Sequence, residues 1–499
     1  MVPNLTIDMG DFLPATPAKR RVTGDTQFMF QFYKACIHFY APNERTALCM
    51  GEAALYQSLM AALRECPLLF GRLKVHDEDK SVWLEYDPAD SNAPTIEFQY
   101  LDTTYEYLEQ HKFAYSAAQQ RGLDMPVPDG TIFRGEHDKP MLAVKVSYLA
   151  DGGVAIFSMS HHVAFDGNAV FSFLSHWATC TRRIRDLRAD RMAVPSDPQA
   201  DRTAVPSDLQ VFATSLVSNT ENRPTEGPAE ISVAPDMSPQ EIKAMTNRLP
   251  SPEGTQACVF SISTASLAQL HSLVKNSGVL APDEWVSSNN VLAAFVAQCV
   301  ARASTEAQVY AAGDWVIFQA MDMRRPLGLA LQGLGSPLML AQCQMPYAEI
   351  EGSPTQFASV AKRVRQSIGR YTGDYLQQAM DWMHCTYRQM AQRGVDEPWR
   401  RFWFTALDTN RRAVGLSFMN RIPVYGADFG AGRPAMAMSC NPRANYVIVF
   451  PGPPSADNGA RSRDDYSELH LYVTLEKRAM DALVADRSWA ALCTLVSKP

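Results

Sequence analysis

At roughly 100–200 residues per domain, the 499-residue chain has room for two to four domains, most simply two large ones. Hydrophobic residues make up 46% and charged residues 20%, enough to build sizeable cores, and 27 Gly and 32 Pro exclude collagen-like and low-complexity classes. With 46 Lys and Arg against 53 Asp and Glu the formal charge is −7, which excludes a general DNA- or RNA-coating role needing a basic surface.

The first ten residues lack a basic segment followed by an apolar one, so no secretory signal is expected. Residues 28–40, FMFQFYKACIHFY, read as a strand. The next segment, GEAALYQSLMAALRECPLLFGRL, puts Leu55, Leu59, Ala62, Leu63 and Cys66 on one helical face, with Pro67 as the stop. KVHDEDKSVWLEY reads as one strand, and MLAVKVSYLADGGVAIFSMSHHV as a hairpin turning at Asp151-Gly152-Gly153. NAVFSFLSHWATCTRRIRDL is helical.

From Asp190 the composition shifts to Pro, Ser, Asp and Ala. An imperfect duplication, DRMAVPSDPQA and DRTAVPSDLQ, marks residues 186–255 as a crossover or linker, two copies being too few for a solenoid. Beyond it come a strand at ACVFSIS and a helix at TASLAQLHSLVKNS. An apolar helix follows, capped at Ser288 or Asn289, then strands at DWVIFQAMDM and YVIVFPG, and a closing strand and helix in LHLYVTLEKRAMDALVAD. The pattern is mixed α/β, with an N-terminal domain over 1–185 and a C-terminal one over 256–499. The longest apolar run, Val291–Ala301, is short of the ~20 residues that cross a bilayer, so no membrane partner is expected. The ten cysteines are scattered without a C-x-x-C pair or zinc-like spacing, which predicts a cytoplasmic protein with free thiols and no metal. The C-terminal Ser497-Lys498-Pro499 differs from a peroxisomal address in its last residue.

The chemistry concentrates in Ser158–Gly167. His162 and Asp166 lie four apart where an apolar strand gives way to a helix, and an imidazole there suits general-base work near neutral pH. Gly167 would allow tight backbone after Asp166. His161 reads as a core or turn histidine, a metal reading lacks further ligands, and an H-x-x-x-D-G match alone arises by chance in about a few per cent of such chains.

A second stretch, YGADFGAGRP, lies in the C-terminal half. Together HHVAFDG and DFGAG resemble the H-x-x-x-D and DFGWG signatures of the BAHD acyltransferases. LYQSLMAALRECPLLFGRL, SSNNVLAAFVA, QAMDMRRPL and the C-terminal VIVFPG…LHLYVTLEKRAMDAL fit the same family in the same order. The wording is nearest to its fungal secondary-metabolism members, such as trichothecene and ergot-alkaloid O-acetyltransferases.

The resemblance implies two chloramphenicol-acetyltransferase-like domains with a channel between them. It makes His162 the general base and Ser417 a hydroxyl donor to the oxyanion, although an ordinary strand serine fits Ser417 equally well. Asp166 and Asp428 would point away from substrate and pair with an arginine, Arg324 and Arg325 being the candidates. Gly430 and Gly432 complete the second motif, in which Ala431 replaces the usual Trp. Met419 stands where the family carries another Trp and would widen the pocket.

Acetyl-CoA, or another acyl-CoA, is the implied co-substrate, with no bound cofactor. A hydroxylated alkaloid, terpenoid or polyketide is the implied acceptor, and a monomer is expected. A CoA mouth needs local positive charge, for which Arg411, Arg412, Lys362 and Arg363 are candidates, Arg365 lying in the same run. The basic run Arg182, Arg183, Arg185, Arg188 reads as a solvated helix face. Two alternatives stand beside this reading. H-H-x-x-x-D-G also marks condensation domains that use carrier-bound acyl groups, and a relative that had lost catalysis would only bind.

Overall fold

The computed structural model describes residues 5–8, 14, 16–22, 33–78, 80–91, 93–126, 140–193, 226–238, 240–241, 254–310, 313–329, 334–350, 352–408, 412–439, 444–454 and 466–497. The duplicated 194–210 segment lies outside them, as does Arg411. The chain forms two compact units. One comprises Met1–Leu216, Ala330–Ser336 and Ile422–Asn441, the other Val217–Leu329, Pro337–Arg421 and Pro442–Pro499.

The first unit is built on a six-stranded sheet. Its order is Leu5–Asp8, Thr95–Leu101, Leu142–Leu149, Val154–His161, Tyr33–Tyr40, Met436–Ser439. The two central strands are buried along almost their whole length, which is why they read as continuous apolar runs rather than alternating ones. Their turn sits at Asp151-Gly152-Gly153, where Gly152 takes φ +88°.

The helix Glu52–Arg64 buries Leu55, Leu59, Ala62 and Leu63, and the chain passes through Cys66 into a short 3₁₀ turn, Pro67–Phe70. KVHDEDKSVWLEY is not one strand. Arg72–Val75 and Val82–Tyr86 form a hairpin, because the polar middle of that run supplies a turn. The long helix Gly167–Ala193 extends through the predicted 185 boundary.

The unit takes in two pieces from far along the chain. Met436–Ser439 pairs antiparallel with Tyr33–Tyr40, and Phe429, 1% exposed, packs edge-on against Trp177 at 4.8 Å between ring centres. Burying that ring is worth about 2–3 kcal/mol, reason enough for residues 422–441 to sit with the N-terminal half. DFGAG therefore lies in the same unit as HHVAFDG, not in a domain running unbroken from 256 to 499.

The second unit carries a seven-stranded sheet. Its order is Leu338–Pro346, Asp314–Asp322, Arg412–Phe418, Tyr446–Pro451, Glu468–Glu476, Thr255–Ser263, Cys493–Ser497. Against it packs Ser288–Glu306, a helix buried almost all round because its sequence is apolar on every face. Its cap is Ser287, one residue earlier than the sequence suggests, in a reciprocal box with Asn290. Ile231–Val233, inside the expected linker, pairs with Phe402–Phe404. Among the described residues no helix is long and apolar enough to cross a membrane, and the described cysteines are free.

Candidate active site

His161 and His162 end the buried Val154–His161 strand, and both are at most 1% exposed. His161 lies edge-on to Tyr33, and its Nδ1 accepts the Val163 N–H at 3.2 Å, so it braces the turn. His162 Nδ1 is 2.8 Å from Ser336 Oγ. Ser336 arrives on a short segment laid beside the turn. Gly335 N–H donates to Ala164 O, Asp166 N–H donates to Gly335 O, and Gly335 adopts φ +117°. Nothing in the sequence flagged Ser336, since GLGSP lies far from HHVAFDG and carries no motif.

Burial holds the His162 imidazole well below the usual histidine range, and the charge of half-buried Lys34 pushes it further down. A hydrogen bond to its own backbone carbonyl acts the other way. A carbonyl only accepts, so the ring nitrogen beside it must carry the proton; assigning that proton to Nδ1, the nitrogen nearer the backbone, leaves the lone pair on Nε2. His162 is thus a neutral base at physiological pH. Lys34 is itself lowered to about 8 by burial, with Asp166 opposing that shift.

Asp166 is 1% exposed and caps the long helix, its Oδ1 accepting the Ala169 N–H at 2.8 Å. Gly167 is the first helical residue and is not among the glycines of positive φ. Asp428 organises its own loop. Its Oδ1 accepts the N–H groups of Gly430 at 2.7 Å and Gly432 at 3.0 Å, both at φ just above +100°. A Cβ on Gly430 would stand 2.5 Å from Arg185 Nη1.

Arg182 also reaches this loop, donating to the Asp428 backbone carbonyl. Arg182 and the exposed Arg185 thus stand at the loop, a role sequence periodicity does not reveal. Asn43 donates to Ala431 O and Tyr40 to Ala427 O, completing the anchorage.

In the second unit, Ser417 is 6% exposed near the end of Arg412–Phe418, in register with Ile448. Met419, 8% exposed, donates its N–H to Val449 O. The neighbouring Asn420 exchanges hydrogen bonds with Asn289 and donates to Tyr466. Arg324 is 1% exposed and donates to Asp322, whereas Arg325 is exposed. Lys362 pairs with Glu284 at 2.6 Å and Arg363 with Glu349, which neutralises much of their charge. Arg365 stacks over Trp285, and Arg412 packs against Gly313.

Comparison with known proteins bears on this arrangement. The Transferase family model matches residues 22–489. Hydroxycinnamoyltransferase 2 of Oryza sativa subsp. japonica is 26% identical over 451 residues, covering 87% of this chain and 88% of that protein. The hydroxycinnamoyl-CoA:5-hydroxyanthranilate N-hydroxycinnamoyltransferase HHT1 of Avena sativa is 25% identical over 428 residues, covering 81% and 82%.

Among solved structures, F. graminearum TRI101 complexed with coenzyme A and T-2 mycotoxin superposes with TM-score 0.70 at 15% identity, covering 97% of this chain and all of that one. Vinorine synthase gives 0.57 at 19%, covering 99% and 98%. These likenesses show the fold. The family match spans nearly the whole chain, and the protein therefore belongs to the Transferase family, that of the BAHD acyltransferases, and is an acyl-CoA-dependent acyltransferase.

Proposed function

We propose that the protein transfers an acetyl group from acetyl-CoA to a hydroxyl of a fungal secondary metabolite, an alkaloid or terpenoid, with His162 as general base. The observation that carries the mechanism is the buried His162, held neutral, whose Nδ1 lies 2.8 Å from Ser336 Oγ. Nε2 takes the acceptor's proton as the hydroxyl oxygen attacks the thioester carbonyl. The C–S bond then breaks, and the imidazolium returns the proton to the departing thiolate, whose conjugate thiol has pKa about 8.5. No acyl-enzyme forms, so no nucleophilic Cys or Ser is required.

Ser417 is proposed to donate to the developing oxyanion, where a fixed donor is worth most. Asp166 and Asp428 hold backbone rather than move protons. The CoA phosphates are proposed to meet Arg412 and its surroundings, since Lys362 and Arg363 would have to exchange Glu284 and Glu349 for phosphate. Four matched relatives carry hydroxycinnamoyl names, one of them an N-hydroxycinnamoyltransferase. The acetyl assignment rests instead on the motif wording.

The test is thiol release from acetyl-CoA, hydroxycinnamoyl-CoA and a carrier-bound acetyl group, against a panel of hydroxylated natural products and aromatic amines. Turnover with acetyl-CoA and an alcohol, abolished in a folded His162→Ala variant, is the expected result. Preference for hydroxycinnamoyl-CoA, strict carrier dependence, or wild-type turnover by His162→Ala would each overturn it.

A further inference from the structure

The first unit contains a donor cluster that acyl transfer does not use. His176 and Cys180 lie one turn apart on the long Gly167–Ala193 helix, and Glu65 follows the last residue of Glu52–Arg64. Their ligand atoms all lie within 4.8 Å of one another. His176 Nε2 is 3.3 Å from Glu65 Oε2 and 3.7 Å from Cys180 Sγ.

Those two separations can be compared with a coordination tetrahedron. With Zn–N and Zn–O near 2.0–2.1 Å and Zn–S near 2.3 Å, its N···O edge is about 3.4 Å and its N···S edge about 3.6 Å. The atoms already stand at those edges. Cys180 is 3% exposed, and Cys66, wholly buried next to Glu65, feels the charges of both Glu65 and Cys180. Thiolate and imidazole donors select a borderline-soft ion over magnesium or calcium.

We propose that Glu65, His176 and Cys180 form a zinc site, with water completing the fourth position. Binding exchanges the Cys180 S–H for a Zn–S bond and releases one proton, while His176 binds neutral and Glu65 ionised. Burial and the neighbouring Glu65 otherwise hold the Cys180 thiol protonated, at about 11, with Arg183 opposing that shift. A divalent ion supplies positive charge where these groups crowd together, at the cost of repulsion from Arg183. Such a site would tie the end of one helix to the middle of the helix that Asp166 caps, a stabilising role separate from the reaction. The ligands are legible only in three dimensions, because Glu65 is distant in sequence from the H-x-x-x-C pair.

The full-length protein, stripped with a chelator, is titrated with Zn²⁺ against a chromophoric competitor and separately with Co²⁺. One equivalent should bind, with a thiolate-to-cobalt charge-transfer band and a raised unfolding temperature on zinc addition. His176→Ala and Cys180→Ser should each weaken Zn²⁺ binding by roughly 100-fold. Cys180→Ser is close to isosteric, and its metal-free melting curve and circular dichroism check that it folds. Absence of stoichiometric binding, of the charge-transfer band, or of any change in affinity in a folded Cys180→Ser protein would overturn the assignment.

Discussion

Ser336→Ala tests whether the His162 base is set by a partner outside its own motif. The substitution removes the Oγ that lies 2.8 Å from Nδ1, while the His162 backbone carbonyl still accepts the same proton. The tautomer should therefore survive and only ring orientation loosen. One net neutral hydrogen bond is worth about 1 kcal/mol, which corresponds to about a fivefold fall in kcat. KM should hardly move, since Ser336 orients the base rather than the substrate, and Ser336→Thr, which restores the hydroxyl, should recover most of the rate. The assay is steady-state thiol release, with kcat and KM separated, beside a melting curve to show an intact fold. Wild-type kcat in Ser336→Ala would refute the positioning role. A loss as complete as that of His162→Ala would mean that Ser336 takes part in the proton transfer itself.

Because burial and Lys34 both depress His162, the acid limb of kcat/KM should lie below pH 6.5, and Lys34→Met should move it upward. In an unfolded chain His162 titrates near 6.5, so the folded state is disfavoured as pH falls below that value. Wild type should accordingly lose more unfolding temperature between pH 7 and 5 than His162→Gln. Asp428→Ala removes the one oxygen that accepts two N–H groups in the 428–432 loop and should lower stability by about 2 kcal/mol, seen as a lower denaturant midpoint. Ser417→Ala should reduce kcat by about 100-fold if its hydroxyl meets the oxyanion, whereas unchanged kcat would mark it as an ordinary strand serine.

Local grammar carried most of the fold into the sequence. Leu55, Leu59, Ala62 and Leu63 repeat at helical spacing and are wholly buried, and Asp151-Gly152-Gly153 places the central hairpin. Pairings that join distant segments were not legible. Met436–Ser439 reads as a short apolar run, and nothing in it says that its partner is Tyr33–Tyr40. The site divides the same way. His162 and Asp166 share a motif and could be read from it. Ser336, Arg182 and Asn289 act through contacts with residues far along the chain, and a single sequence holds no periodic trace of such contacts. Lys362 and Arg363 show the converse, since the charge visible in the sequence is occupied by Glu284 and Glu349 in the structure.

His162 and Asp166 stand four residues apart, and their contacts give them separate tasks. The Asp166 carboxylate caps a helix and raises the pKa of Lys34, and the Lys34 charge in turn adds to burial in keeping His162 unprotonated. Asn caps a helix about as well as Asp, so Asp166→Asn keeps the cap and deletes only the charge. Half-buried Lys34 then loses a favourable neighbour, its pKa drops below about 8, and the fold is weakened wherever wild-type Lys34 is charged. The stability gap between wild type and Asp166→Asn should be open at pH 6 and should close by pH 9, above the wild-type Lys34 value, where the lysine is neutral in both folded proteins. Denaturant midpoints at the two pH values measure it. A gap independent of pH would show that Lys34 is not the group Asp166 serves. A fully inactive Asp166→Asn protein of wild-type stability would instead place Asp166 in the proton transfer itself.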